Sequence, residues 1–258
     1  MLGWLRTRSI VSPNPVREAR TSPGVRVYAI GDIHGRIDLL RRLEELIWKD
    51  AEGALKDTSS VIVYLGDYID RGPDSRSVVE HFVTRKLGVD EEIFLKGNHE
   101  EVLLNFLDDP DEIGPQWVSI GGVATCLSYG IADVAQKAQA GQFSELRERL
   151  AAAIPAQHLR FLRALRTSWG DGGYLFVHAG IDPRHSLEQQ TPETMLWIRD
   201  AFTSFSGMLE RKIVHGHTIV ADIELLPNRI AVDTGAYATG ILSCVVLEDS
   251  EIRVLNTA

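Results

Sequence analysis

Apolar and polar positions in the first half of the chain alternate between strand-like and helix-like patterns. Short runs rich in β-branched and aromatic residues predict strands at 25–30, 61–65 and 92–96. After each run, apolar residues recur at helical spacing. The predicted helices are 37–48, a helix that starts after an N-cap at Asp74 and runs to about residue 86, and 100–107. The pattern therefore indicates a repeated strand-loop-helix unit.

The loops of these units carry the most polar and glycine-rich motifs of the chain. They read GDIHG at 31–35, GDYIDRG at 66–72 and GNHE at 97–100. Asp32 and Asp67 are 35 residues apart and Asp67 and Asn98 are 31 apart, close to the roughly 30 residues of a βαβ unit. Because ligands bind outside the carboxyl ends of strands in open α/β sheets, we expect these loops to converge.

The side chains in these loops are suited to divalent metals. Two further motifs, HAG at 178–180 and HGHT at 215–218, add imidazoles. Carboxylate, imidazole and amide donors favour Mn, Fe, Zn or Mg, and the absence of a thiolate from the set argues against a structural zinc site. The neighbouring glycines allow sharp turns and close approach of the backbone to a ligand.

The second half of the chain predicts a helical layer followed by strands. We expect a surface loop at 108–112, helices at about 131–153 and 156–169, and strands at 174–177, 212–214, 229–232, 242–247 and 252–255. The alternation in these strands fits a second sheet packed on the first. The predicted fold class is therefore mixed α/β, with two packed mixed β-sheets flanked by helices, and residues 25–258 are predicted to form a single domain.

Composition limits the partners and the compartment. The formal net charge is −9 with a pI of about 5.4, so we expect no nucleic-acid polymer as a partner. Cys126 and Cys244 are far apart and outside any CxxC motif, which predicts no disulfide framework and favours the cytoplasm. No run reaches the roughly 18–20 apolar residues of a membrane-spanning helix.

The first 24 residues differ from the rest of the chain. This segment is rich in arginine and proline, and it contains no continuous apolar region typical of a signal peptide. The composition predicts a flexible leader. The alternative is a contact with a membrane surface or a partner through Met1, Leu2, Trp4 and Leu5 together with the arginines.

Six segments together resemble the calcineurin-like metallophosphoesterases. They read GDIHG, GDYIDRG, LKGNHE, FVHAG, VHGHT and VDTGA and lie in the order and spacing of that family. Within it, the chain is most similar to the phosphoprotein phosphatase family of serine/threonine phosphatases, in particular to its bacterial and phage lambda phosphatase-like members. The resemblance spans about residues 25–246 and implies the calcineurin-like metallophosphatase fold. It also implies a binuclear metal centre, for which Mn²⁺ is expected and Fe, Zn or Mg are alternatives.

The resemblance assigns a role to each matching residue. The implied metal ligands are Asp32 and His34 for the first ion, Asp67 bridging both ions, and Asn98, His178 and His217 for the second. The implied general acid is His99, held by Asp70. The implied phosphate ligands are Arg71, Arg199 and Asn98. In the family pattern, a hydroxide that bridges the two metals attacks the phosphorus directly.

Three positions leave alternatives open. Arg199 rests on a short match and is alternatively a structural salt-bridge partner. His215 lies two residues before His217 and competes for the ligand role, although Gly-His-Thr at 216–218 is the matching triplet. Lys96 stands where many family members have arginine, which keeps the positive charge but loses bidentate hydrogen bonding.

The leading hypothesis is a metal-dependent phosphomonoesterase that acts on phosphoserine and phosphothreonine in phosphoprotein or phosphopeptide substrates. The alternative from the same family is a nucleotide phosphohydrolase such as a symmetrical diadenosine tetraphosphatase. A third hypothesis, from another class, is a catalytically inactive binding module. The oligomeric state is not predicted by the sequence.

Overall fold

The computed structural model describes residues 18–52, 58–85 and 87–258. The strands in these residues are β1 Val25–Ile30, β2 Ser59–Tyr64, β3 Glu91–Phe94, β4 Ser168–Asp171, β5 Tyr174–Val177, β6 Lys212–His215, β7 Glu224–Leu225, β8 Arg229–Ala231, β9 Ser243–Glu248 and β10 Glu251–Asn256. The helices are α1 Ile37–Glu52, α2 Ser75–Thr84, α3 Asn98–Asp108, α4 Pro110–Trp117, α5 Val123–Ser128, α6 Val134–Gln139, α7 Phe143–Ala153, α8 Ala156–Arg163, α9 Pro192–Trp197, α10 Asp200–Thr203 and α11 Ala236–Thr239. A π-helical turn, Val118–Gly122, joins α4 to α5, and a 3₁₀ turn covers Leu187–Gln189.

The strands form two five-stranded mixed sheets. The first has the order β10-β9-β1-β2-β3, with β1, β2 and β3 parallel and β9 and β10 antiparallel to their neighbours. The second has the order β4-β5-β6-β8-β7, with β5, β6 and β8 parallel. The predicted mixed α/β class with two packed sheets flanked by helices is confirmed.

The hydrophobic core explains why strand β1 is apolar at every position except Arg26. Val27 and Ala29 pack between the two sheets, against residues such as Phe176. Tyr28 and Ile30 point to the opposite face, where the helices cover the first sheet. A strand that is buried on both faces reads as a continuous apolar run.

The last two strands correct one prediction. Residues 242–247 and 252–255 were predicted to join the second sheet, but β9 and β10 belong to the first. Strand β9 lies antiparallel to β1, with Val245 opposite Ala29, and β10 forms the sheet edge beyond it. Alternating polarity shows that a strand has one buried face, but it does not show which sheet that face meets.

Two helix predictions and one loop prediction in the middle of the chain are also corrected. The predicted helix 131–153 is two helices, α6 and α7, because the chain turns at Gly141 with a φ of 67°. The predicted helix 156–169 ends at Arg163, and Trp169 instead lies in β4, where its ring packs on Phe176. The predicted loop 108–112 is largely helical, because Pro110 takes the first position of α4, where it needs no N–H partner.

Residues 18–24, which precede β1, are attached to the first sheet. Thr21 is buried; its backbone N–H donates to the Asp249 carbonyl at 3.0 Å and its hydroxyl accepts from the Asp249 N–H at 2.8 Å. The predictions for residues 1–17, which include both readings of the leader, lie outside the described residues. Among the described helices, none is long and apolar enough to cross a membrane.

Candidate metal centre and active site

The two sheets bring five polar loops to one end of the molecule. Asp32, Asp67 and Asn98 follow the parallel strands of the first sheet. His178 and His217 follow β5 and β6 of the second sheet. The sheets are joined here by a hydrogen bond between His178 Nδ1 and the Leu65 carbonyl, at 2.8 Å. The convergence that the spacing predicted is therefore present in the structure.

Asp67 lies at the centre of this cluster. Its Oδ2 is 3.5 Å from His34 Nε2 and 3.8 Å from His99 Nε2, and its Oδ1 is 3.5 Å from His178 Nε2. Two groups of possible metal ligands share this carboxylate, His34 with His99 on one side and His178 with His217 on the other. Asp67 thus occupies the position expected of a bridging ligand.

Asn98 completes the second half of the cluster. Its Oδ1 is 2.9 Å from His217 Nδ1 and 3.0 Å from His178 Nε2, and these two nitrogens are 3.2 Å apart. All three side chains are buried. An amide oxygen and two imidazole nitrogens therefore point at one small volume beside Asp67.

Asp32 lies on the other side of the cluster. Both of its oxygens accept the His217 backbone N–H at 3.1 Å, and it is not part of either compact ligand group. Burial and the charges of Asp233 and Asp67 raise the pKa of Asp32 well above its usual value. Buried carboxylates that crowd one another in this way are stabilised when a cation lies between them.

The tautomers of two histidines fit metal binding. His34 Nδ1 bonds to the Ile69 carbonyl at 2.8 Å, as His178 Nδ1 does to Leu65. Each ring therefore donates Nδ1–H to the backbone and turns the lone pair of Nε2 toward Asp67. Burial lowers the pKa of His34 to about 3 despite the nearby Asp67, so its imidazole is neutral. This donor set fits two divalent ions.

The charge of Asp67 is favoured by the surrounding imidazoles. Burial by itself raises the pKa of this carboxyl. The charges of the neighbouring histidines, of which His178 has the largest effect, lower the pKa by more than burial raises it. The result is a pKa well below the usual value for aspartate. Asp67 is thus an anion that is ready to bind a cation.

His99 and Asp70 form a hydrogen-bonded pair beside the metal ligands. His99 Nδ1 lies 2.8 Å from Asp70 Oδ2, and both side chains are fully buried. His99 Nε2 has no hydrogen-bond partner among the described residues and lies 3.8 Å from Asp67 Oδ2. Burial lowers the pKa of His99, but the charge of Asp67 and the bond to Asp70 outweigh it, so the pKa is raised.

The two predicted phosphate-binding arginines lie at different depths. Arg71 is half-buried, with Nη1 3.1 Å from His34 Nε2 and Cζ 5.1 Å from the centre of the Tyr237 ring. Arg199 is exposed at the junction of α9 and α10. Burial first, then the charge of His178 and, after it, that of Arg199 lower the pKa of His217.

The competing histidine, His215, lies apart from both ligand groups. Its ring packs on Phe202 with centroids 5.1 Å apart, and its Nδ1 bonds to the Gly216 carbonyl at 3.0 Å. His158 also lies apart from both groups: it is buried, with hydrogen bonds to Tyr129 and Glu80. The structure therefore brings together His217 rather than His215 with Asn98 and His178.

Comparison with known proteins identifies the family. The profile of the calcineurin-like phosphoesterases matches residues 25–236, which is most of the chain. The chain belongs to the calcineurin-like phosphoesterase family. It is therefore a phosphoester hydrolase, and the dimetal centre that this family uses corresponds to the candidate ligand groups on either side of Asp67.

Relatives of this phosphoesterase carry names of two kinds. Serine/threonine-protein phosphatase 2 of Escherichia coli (strain K12) is 26% identical over 226 residues, which cover 84% of this chain and 90% of that protein. A symmetrical bis(5'-nucleosyl)-tetraphosphatase of Nitrosospira multiformis is 29% identical over 163 residues, which cover 63% of this chain and 46% of that protein. A crystal structure described as a candidate diadenosine tetraphosphatase aligns with a TM-score of 0.58 at 21% identity, covering 93% of this chain and 99% of that one. The structural likeness shows the fold.

Backbone strain in this phosphoesterase is concentrated at the site. Among the described non-glycine residues, six have left-handed φ angles, and five of these are His34, Asp67, Asp70, Arg71 and His217. Such conformations cost roughly 1–3 kcal/mol each and persist only where the surroundings enforce them. The strain therefore indicates that the fold holds these side chains for function.

Glu100, the last residue of the GNHE motif, positions the backbone around Asp67, a role that the sequence did not predict. Its buried carboxylate accepts the backbone N–H groups of Gly97, Asp67 and Tyr68 at 2.9, 3.0 and 2.8 Å. Burial and the charge of Asp67 raise the pKa of Glu100 to about 7. Glu100 stands at the third position of α3 and accepts the N–H of Gly97 at the N-cap, which is the glutamate half of a capping box; glycine has no side chain to supply the other half.

Proposed function

We propose that this phosphoesterase is a serine/threonine protein phosphatase, a metal-dependent phosphomonoesterase that takes phosphoprotein or phosphopeptide substrates. The observation that carries the proposal is the buried His99, which is bound through Nδ1 to Asp70 and leaves Nε2 unpaired beside Asp67. A histidine held in this way is placed to give a proton to a leaving group. The alkoxide of serine or threonine is a leaving group that needs this proton.

The remaining residues would bind and orient the phosphate. Arg71, Arg199 and Asn98 would supply donors to the phosphate, and the two arginines would neutralise charge on the non-bridging phosphate oxygens. The proposed metal ligands are Asp32, His34, Asp67, Asn98, His178 and His217. Two divalent ions bound there, for which we propose Mn²⁺, supply Lewis-acid stabilisation of charge and lower the pKa of a coordinated water.

A nucleotide phosphohydrolase is the second candidate, and the tetraphosphatase relatives support it. The leaving group in dinucleotide cleavage is itself a nucleotide phosphate, which needs little protonation. An oriented buried acid adds less to that reaction than to the hydrolysis of an alkyl ester. The His99–Asp70 pair is thus the feature that favours the phosphomonoester.

For the compartment we propose the cytoplasm, since Cys126 and Cys244 are free and buried.

The proposal is tested by the substitution His99→Asn on two substrates. General acid catalysis contributes typically ~10²–10⁴-fold, so we expect a loss of that size on a phosphothreonine peptide. The loss on p-nitrophenyl phosphate should be much smaller, because its aryl leaving group departs without a proton. Steady-state kcat/KM for both substrates, with metal content measured alongside, gives the result. Equal losses on both substrates would rule out His99 as the acid.

A further inference from the structure

The helical segment that covers the site contacts the acid pair directly. Residues 110–128 form α4, the π-helical turn and α5. Trp117, at the end of α4, and Thr125, in α5, are both fully buried. Both side chains hydrogen bond to the carboxylate of Asp70. The segment therefore reaches the group that holds His99.

Both oxygens of Asp70 are bound. Oδ2 accepts the indole Nε1–H of Trp117 at 3.1 Å in addition to His99 Nδ1 at 2.8 Å, and Oδ1 accepts the Thr125 hydroxyl at 2.5 Å. The backbone N–H of Asp70 lies 3.0 Å from the hydroxyls of both Ser75 and Thr125. Neither the carboxylate plane nor the backbone of Asp70 is thus free to turn.

The direction of the hydroxyl hydrogen bonds follows from the partners. An ionised carboxylate only accepts, so the single proton of Thr125 must go to Asp70. The Ser75 hydroxyl, 3.0 Å from Thr125 Oγ1, then donates to Thr125. Replacing threonine by valine would keep the shape of the side chain and remove the donor to Oδ1.

The indole of Trp117 is fixed by its own surroundings. Its ring packs on Phe106 with centroids 4.5 Å apart. A Cβ on Gly122 would lie 2.4 Å from indole atoms, so only glycine allows this approach. The same turn also contacts the GDYIDRG loop at 66–72, since the Gly121 carbonyl accepts the Arg71 N–H at 3.2 Å.

We infer that Trp117 and Thr125 are positioning residues for leaving-group protonation. They hold the Asp70 carboxylate in the plane that binds His99 Nδ1, and this keeps His99 Nε2 directed at the metal ligands. The helical segment 110–128 is thus part of the acid machinery as well as a cover over the site. The inference rests on the proposed role of His99.

The test compares Trp117→Phe and Thr125→Val with the wild type, each assayed on the phosphothreonine peptide and on p-nitrophenyl phosphate with Mn²⁺. One charge-assisted hydrogen bond is removed in each variant, so we expect kcat on the peptide to fall about ten-fold or more, within the ~10²–10⁴-fold that a general acid contributes. The aryl substrate should lose much less. Thr125→Ser, which keeps the hydroxyl, should restore most of the peptide rate.

Trp169→Phe is the matched control, because Trp169 is half-buried in β4 of the second sheet, away from Asp70. It should leave the ratio of peptide to aryl rates unchanged. If Trp117→Phe and Thr125→Val lower both rates equally, or leave the peptide rate intact, the inference is wrong. If His99→Asn itself shows no selectivity for the alkyl ester, the proposed acid fails and the inference fails with it. If His99→Asn selectively lowers the peptide rate while Trp117→Phe and Thr125→Val do not, only the inference is rejected and the proposed acid stands.

Discussion

At the scale of single residues, the site is organised around one carboxylate. Asp67 is contacted by histidines from both sheets, and these histidines lower its pKa. The charge of Asp67 in turn helps to raise the pKa of Asp32 and of Glu100. Its φ of 52° is among the strained angles of the site. Asp67 is the one residue that the two candidate ligand groups of the described residues share.

Replacing Asp67 by asparagine should remove the metals. The amide keeps the shape but loses the negative charge between the imidazoles, so we expect a loss of activity beyond the ~10–100-fold typical of an outer-shell partner. Elemental analysis of the purified variant should find less than one ion per chain at equilibrium with dilute Mn²⁺. Asp222→Asn, at an exposed position, is the matched control. A variant at position 67 that retains two ions would contradict the bridging role.

The sequence indicated the candidate metal ligands more readily than the residues that support them. Asp32, His34, Asp67, Asn98 and the two downstream histidines lie in short motifs, so their neighbours in the chain reveal them. Trp117 and Thr125 lie 47 and 55 residues from Asp70. Such pairs are fixed by tertiary packing, and no local pattern in the sequence indicates them.

At the scale of elements, the sequence predicted the repeated strand-loop-helix units of the first half of the chain. It did not predict how the later strands pair. Strand β1 is predicted with its observed bounds, because an apolar run that ends in a glycine-rich motif is a local signal. The assignment of β9 to the first sheet depends on its contact with β1 across more than two hundred residues. This contact also places β10 beside helix α1.

Asp50 joins α1 to that edge of the sheet. Its carboxylate binds the Arg253 guanidinium at 2.6 and 3.0 Å and accepts the Tyr28 hydroxyl at 2.7 Å. Hydrogen bonds from Arg253 hold the pKa of Asp50 below its usual value. Asp50→Asn should lower the free energy of unfolding at pH 7 by about 1.5–3 kcal/mol, the range for hydrogen bonds to charged groups.

The pH dependence of this difference has a definite sign. Because the folded pKa is lowered, the stabilisation is complete above the unfolded pKa of about 3.9 and is lost as the pH falls through the folded value. We expect urea denaturation between pH 7 and pH 3.5 to show this sign. The difference in free energy of unfolding between the wild type and Asp50→Asn should narrow below about pH 4. A gap that stays constant over this range would show that the charge of Asp50 does not contribute.

At the scale of the whole molecule, the candidate site belongs to neither sheet alone. The first sheet supplies Asp32, Asp67 and Asn98, and the second supplies His178 and His217. The core between the sheets fixes their distance, and the helical segment 110–128 closes over the acid pair. Packing of the two sheets is thus the step that assembles the site.

The substrate is the central question at this scale. A head-to-head measurement of kcat/KM with Mn²⁺ on a phosphothreonine peptide and on diadenosine tetraphosphate addresses it most directly, with Asp67→Asn as the blank for contaminating activity. A protein phosphatase with an oriented general acid should hydrolyse the peptide with the higher kcat/KM. A higher kcat/KM on the dinucleotide would contradict the proposed substrate, and the enzyme would then be a nucleotide phosphohydrolase.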